Sequence, residues 1–256
     1  MPRLSGTRAL VTGATTGLGR AMAQALADAG ARVAVTSRDA ARAREAALAI
    51  GPNAVPVALD VRDEGSVASA VEEVHARLGG LDLLVNNAGI GMRTVNPRFL
   101  VEAQPFHAVT PAGFRDVVET KLVGTFLVAR AVVPRMLASE TGGRVVNISM
   151  NEATMVRGGF VPYGPAGAGV EALSRVMAAD LEGTNVTVNL LLPGGATDTG
   201  MIPDDVSAEA RAALLDPAVM GPPIVWLASA EAAGVTDERI VATEFKEWLA
   251  SRQQRQ

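Results

Sequence analysis

The chain has 256 residues and no cysteine, which excludes disulfides and thiolate chemistry and leaves room for one sizeable core but hardly for two domains. Its formal charge of −4, with no basic patch, argues against nucleic acid as a partner, and its two histidines, His75 and His107, leave little material for a metal site, so no metal is expected. Apolar residues make up 48%, yet no run of about eighteen occurs and no long apolar stretch precedes the structured start, so neither a membrane span nor a leader is expected and the chain is placed in the cytoplasm.

Short β-branched runs recur at residues 8–12 (RALVT), 32–36 (RVAVT), 55–59 (VPVAL), 81–85 (LDLLV), 144–148 (RVVNI) and 186–192 (VTVNLLL), and a longer alanine-rich segment follows each. Segments such as RAMAQALADAG, apolar at 21, 22, 25, 26 and 29 and stopped by Gly30, carry the helical period. Strand and helix therefore alternate, and strands apolar nearly throughout suit a parallel sheet covered on both faces. The expected fold is α/β, a single-domain, doubly wound parallel sheet over residues 1–250, followed by a flexible tail at 251–256.

The first strand runs directly into TGATTGLGR (12–20) and then into a helix. Gly13, Gly17 and Gly19, with Thr15 and Leu18 between them, predict a tight turn whose backbone N–H groups meet a pyrophosphate at the helix N-terminus. The second strand ends in Thr36, Ser37 and Arg38 instead of an acidic residue. A carboxylate there would hold a ribose 2′-hydroxyl, whereas a hydroxyl and a guanidinium fork suit a 2′-phosphate, which favours NADP(H) over NAD. Two further segments have the character of substrate loops: 91–111, which mixes Met92, Phe99, Phe106 and His107, and 195–215, which opens in a run dense in Gly, Pro and Asp and resembles a lid. Met155, Phe160, Met201 and Ile202 are candidates for the same apolar lining. Helices are expected near 205–215 and 217–229.

With these motifs in view the chain resembles the short-chain dehydrogenase/reductase family over about residues 5–245. TGATTGLG resembles that family's glycine motif, Asp60-Val61 its adenine-side pair, NNAG (86–89) its fourth-strand motif and Pro193-Gly194-Gly195 its nicotinamide-side loop. The resemblance implies a Rossmann sheet of seven parallel strands, the last near 239–243, and a homodimer or homotetramer built on the long helices. It also implies that Asn87, Ala88 and Gly89 wall the cofactor and that Thr197 or Thr199 touches the carboxamide or the phosphates.

The family's chemistry uses a tyrosine, a lysine four residues on, a serine thirteen residues before the tyrosine and an asparagine on the preceding long helix. Tyr163, the sole tyrosine, stands in the matching setting, but Gly167 replaces the lysine, Met150 the serine and Lys121 the asparagine. Ser149 or Asn151 is left to hold a substrate oxygen. A phenol titrates near 10 and needs a nearby ammonium to work as a base at neutral pH, so without the lysine Tyr163 is expected to stay protonated and to serve as a proton donor. Lys121 is expected to send its ammonium into the space left at Gly167.

The function these residues predict is NADPH-dependent hydride transfer to a C=O or C=N bond of a small organic substrate. An iminium already carries its activating charge and tolerates the altered tetrad better than a ketone does. Redox-neutral isomerase, lyase or cyclase chemistry on the same fold, and cofactor binding without catalysis, stand as the alternatives.

Overall fold

In the computed structural model, which describes residues 2–254, seven parallel strands form one sheet in the order β3-β2-β1-β4-β5-β6-β7. The strands are β1 Arg8–Val11, β2 Arg32–Ser37, β3 Ala54–Ala58, β4 Leu83–Asn86, β5 Gly143–Ile148, β6 Val186–Leu192 and β7 Arg239–Val241. The helices are α1 Gly17–Asp28, α2 Ala40–Ile50, α3 Glu64–Leu78, α4 Pro111–Val118, α5 Gly124–Leu137, α6 Glu152–Met155, α7 Tyr163–Asp180, α8 Ala208–Ala212, α9 Gly221–Ala228 and α10 Phe245–Gln253. Six strands lie where the β-branched runs predict them, and the seventh falls in the 239–243 segment.

The pleat divides the apolar strand residues between two cores. Ala9, Val11, Val33, Val35, Leu83, Val85, Val146 and Ile148 face α1, α2, α9 and α10, while Leu10, Ala34, Leu84 and Val145 face α3, α5 and α7. That two-sided burial is why the strands read as continuous apolar runs, and it fixes register, because a slip of one residue would exchange the two faces. The order reverses between β1 and β4, so the C-terminal ends of these strands open the crevice where ligands of such sheets bind.

Local sequence sets the ends of the elements. Asp39 caps α2 by accepting from the backbone of Ala41 and Arg42, and Asp63 caps α3 through Ser66. Between α4 and α5 the chain widens into one π-helical turn, Glu119–Val123, which carries Lys121 into the crevice. Such turns occur preferentially at functional sites. The helix expected over 205–215 is shorter than its pattern, and the one expected over 217–229 begins as a 3₁₀ turn, Pro217–Met220. Residues 251–253 of the expected tail continue α10, and 255 and 256 lie outside the described residues.

Candidate active site

The turn after β1 is built for close approach. Gly13 has φ +62°, and a Cβ there would lie 2.9 Å from Cα of Ala88. A Cβ on Gly19 would collide with the Asn87 amide and with the Gly13 carbonyl, so only glycine lets α1 start this near β4. Thr12 locks the two loops together: its hydroxyl donates to the Val85 carbonyl and accepts from Asn87 N and Ala88 N, both at 2.9 Å. Asn87 donates its amide back to the carbonyls of Thr12 and Gly13 at 2.9 and 3.1 Å. Its side chain therefore shapes the wall, and Gly89 follows directly.

Thr16 at the start of α1 forms no side-chain cap, so the first backbone N–H groups of that helix retain their capacity for an anion. Thr15 is half-buried and Leu18 packs its side chain against the core, which leaves their backbone as the part that meets a ligand. A cleft of about 610 Å³ opens here, lined by Gly17, Arg20, Thr199, Gly200, Ile202 and Arg211. Thr199 lies against the glycine turn, where a Cβ on Gly17 would sit 3.0 Å from its methyl group. Thr197 is buried, and its hydroxyl donates to the Gly195 carbonyl at 3.2 Å. Pro193 accepts from Thr243 N at 3.3 Å, and a Cβ on Gly194 would strike the Thr243 hydroxyl.

At the end of β2, Ser37 accepts from Asp39 N and Arg38 is exposed. The Asp60 carboxylate is gripped by Arg62 at 3.0 and 2.7 Å, which holds it below the usual carboxylate range, with the Arg38 charge adding to the effect. Val61 is buried against Gly124 at the start of α5. These residues fit a dinucleotide: a glycine turn that side chains would fill, an uncapped helix start and a free guanidinium at the end of β2.

The catalytic end departs from the sequence expectation in two places. The space at Gly167 is taken by Met150, whose terminal methyl lies 2.5 Å from where a Gly167 Cβ would be and whose sulfur lies 3.0 Å away. Lys121 therefore does not enter that space. Its Nζ lies over the Tyr163 ring, 5.4 Å from the centroid, and donates to the Ile148 carbonyl at 3.4 Å. Ser149, the second correction, turns its hydroxyl to the Glu171 carboxylate, which also accepts from Nε of Arg239 at 2.9 Å. In this arrangement the Ser149 hydroxyl is engaged by Glu171 and the residue is 5% exposed. Arg239 continues to the Met150 carbonyl at 3.0 Å, and Asn151 donates to the Gly194 carbonyl at 3.1 Å.

Lys121 is 7% exposed, and burial lowers its ammonium from the ordinary 10.5 to about 8. Burial raises the Tyr163 phenol above its ordinary value, so it stays protonated at neutral pH. The phenol points at the Met201 sulfur, 3.9 Å away, and Met201 also packs on Gly91. The two segments with the character of substrate loops thus meet over Tyr163. Arg93 clasps them by donating to Asp204 and to the carbonyls of Gly200 and Ile202. Phe160 packs edge-on to Phe99 at 5.6 Å, whereas His107 is exposed and meets Phe106 edge-on at 5.5 Å.

Arg93, Glu171 and Arg239 support the site and were passed over in the sequence, which did offer Met201 as an apolar lining residue. The signal for Met150 was available: a large residue where a small one is expected, paired with a glycine where a large one is expected. No motif marks Arg93, Glu171 or Arg239. Among the described residues no helix is long and apolar enough to cross a membrane, and no cluster of His, Asp and Glu could hold a metal ion.

The family model for short chain dehydrogenase matches residues 7–210. The 3-oxoacyl-(acyl-carrier-protein) reductase of Vibrio cholerae is 33% identical over 244 residues, 93% of this chain and 96% of that protein. Among solved structures, the 3-ketoacyl-(acyl-carrier-protein) reductase of Brucella melitensis, complexed with NADH, superposes with a TM-score of 0.81 at 28% identity, covering 93% of this chain and 97% of that one. A Sinorhizobium meliloti chain assigned as a short-chain alcohol dehydrogenase gives 0.82 at 33% identity, covering 96% and 98%.

Proposed function

The chain belongs to the short-chain dehydrogenase family, and from that premise we propose that it is an NADPH-dependent reductase acting on a C=O or, preferentially, a C=N bond of a small organic substrate. The observation that carries this reading is the Met150 thioether lodged at Gly167 beside a retained, protonated Tyr163. The site keeps its proton donor but has a thioether where groups that pull on a carbonyl oxygen are expected. A substrate that brings its own positive charge, such as an iminium, needs least from the missing groups.

When bound, NADPH supplies the hydride. Gly13, Thr15, Gly17, Leu18 and Gly19 would present backbone N–H groups to the pyrophosphate. Ser37 and Arg38 would hold the 2′-phosphate, Asp60 and Val61 the adenine, and Asn87 to Gly89, Pro193, Gly194 and Thr197 would flank the nicotinamide, with Thr199 at the glycine turn. Tyr163 delivers the proton to the atom left electron-rich by reduction, and segments 91–111 and 195–215 exclude water above it. Lys121 holds positive charge against the Tyr163 ring, and Ser149 fixes Glu171 behind it. We assign the chain to a homodimer or homotetramer, supported by Phe114, Phe126 and Val176, which are 41%, 47% and 57% exposed on neighbouring α4, α5 and α7.

The test is NADPH oxidation followed spectroscopically against ketones, cyclic imines and enones, alongside direct NADPH binding. Turnover of imines above ketones is expected. Failure to bind NADPH would overturn the reading, and tight binding with no hydride transfer to any of them would leave redox-neutral chemistry or cofactor binding alone.

A further inference from the structure

Only two of the chain's 23 basic residues are lysines, Lys121 and Lys246. Every ion pair among the described residues is made by arginine. Lys246 is exposed on α10, while Lys121 is buried on the π-helical turn. Among the described residues its Nζ has one acceptor, the Ile148 carbonyl at 3.4 Å, and no carboxylate. A buried ammonium so poorly matched gives up its proton readily, and the amine that remains has a lone pair beside the one tyrosine of the chain. Arginine could supply charge at this position but never a nucleophile, because a guanidinium does not deprotonate in proteins.

We propose that Lys121 is a nucleophilic amine that captures an aldehyde or ketone as a Schiff base, giving the protein a redox-neutral activity toward carbonyl compounds that carry an α-hydrogen. Nζ attacks the carbonyl carbon and a C–N bond forms. The carbonyl oxygen then leaves as water, taking one hydrogen from Nζ and one from the Tyr163 hydroxyl, so an iminium and a phenolate stand together. The phenolate removes the α-hydrogen, the C–H pair becomes the enamine double bond, and the iminium nitrogen is neutralised. Return of a proton to the α-carbon and hydrolysis restore amine, phenol and carbonyl compound, with nothing oxidised or reduced. This activity does not depend on hydride transfer, so it stands or falls separately from the reductase reading.

The test uses the full chain without nicotinamide, incubated with benzylacetone and sodium cyanoborohydride and mapped by peptide mass spectrometry. The α-amino group reacts regardless and serves as the internal reference. A reduced adduct on Lys121 about tenfold or more above Lys246 is expected, since burial favours the neutral amine of Lys121 and Tyr163 stands beside it. In D₂O without the borohydride, the α-hydrogens of benzylacetone are expected to exchange about tenfold or more faster than with Lys121→Arg, which keeps the charge and removes the nucleophile. Equal labelling of the two lysines, or no adduct on Lys121, overturns the proposal. Labelling without exchange above the Lys121→Arg rate overturns it as well. Should Lys121→Arg fail to fold, the labelling ratio in the unmodified chain decides alone.

Discussion

Gly167 and Met150 exchange volume across the crevice: one residue gives up its side chain and the other fills the vacancy with a thioether 2.5 Å from the missing Cβ. Putting lysine at 167 alone overpacks the site, whereas Gly167→Lys with Met150→Ser removes the obstruction. Unfolding by urea is expected to show the single lysine variant destabilised by about 1–3 kcal/mol and the pair coupled favourably by about 1 kcal/mol or more. Additive effects would mean that Met150 moves aside freely. Arg38 offers a cleaner test of cofactor choice because it is exposed and, beyond its charge near Asp60, makes no hydrogen bond or ion pair among the described residues. Arg38→Ala is expected to weaken NADPH binding about ten- to hundredfold and to leave NADH binding nearly unchanged, as titration calorimetry would show. Equal loss for both cofactors would assign Arg38 to something other than a 2′-phosphate.

The two loops over Tyr163 are joined through few contacts. Arg93, from the 3₁₀ turn Met92–Thr94, reaches the carbonyls of Gly200 and Ile202 and the carboxylate of Asp204. Asp204 is held below the usual carboxylate range by that guanidinium, yet its side chain is 83% exposed, so the pair adds little to global stability and acts locally. Asp204→Asn is expected to speed proteolysis within 195–215 by up to about fivefold and to raise the KM of any substrate held there, with the thermal midpoint unchanged. Protection equal to that of the unaltered chain would show that Met201 packing alone closes the loop. The π-helical turn has a different part, for it aims Lys121 inward, and its carbonyl at 121 is taken by the Thr125 hydroxyl at 2.7 Å.

At the scale of the whole chain, a buried amine without an acidic partner burdens the fold. Lowering Lys121 from 10.5 to about 8 corresponds to about 3 kcal/mol at about 1.4 kcal/mol per tenfold change in the equilibrium. Because the folded value lies below the unfolded one, the unfolded state binds more protons between pH 8 and 10.5. Stability contributed at this site therefore rises with pH over that window, and the penalty is full below about pH 8. Lys121→Met is expected to stabilise the protein by up to about 3 kcal/mol at pH 7 and to lose most of that advantage by pH 10, measured as paired urea titrations. A constant difference across this range would place the amine in water. The sheet and the glycine turn were legible in sequence because both follow from local pattern, apolar runs in one case and glycine spacing in the other. The destinations of Lys121 and Ser149 were not, because each depends on which neighbour occupies a three-dimensional gap. Met150 excludes Lys121 from one, and Glu171 with Arg239 draws Ser149 away from the other.

Arg239 also ties the crevice to the end of the chain. It belongs to β7, the edge strand and the last to leave the ribosome, and it holds both Glu171 on α7 and the carbonyl of Met150. The strands that build the glycine turn, β1, β2 and β4, precede residue 90, whereas the Pro193–Thr199 segment and the residues around Tyr163 come from the C-terminal half, so the two walls of the crevice meet only once β5, β6 and β7 have joined the sheet.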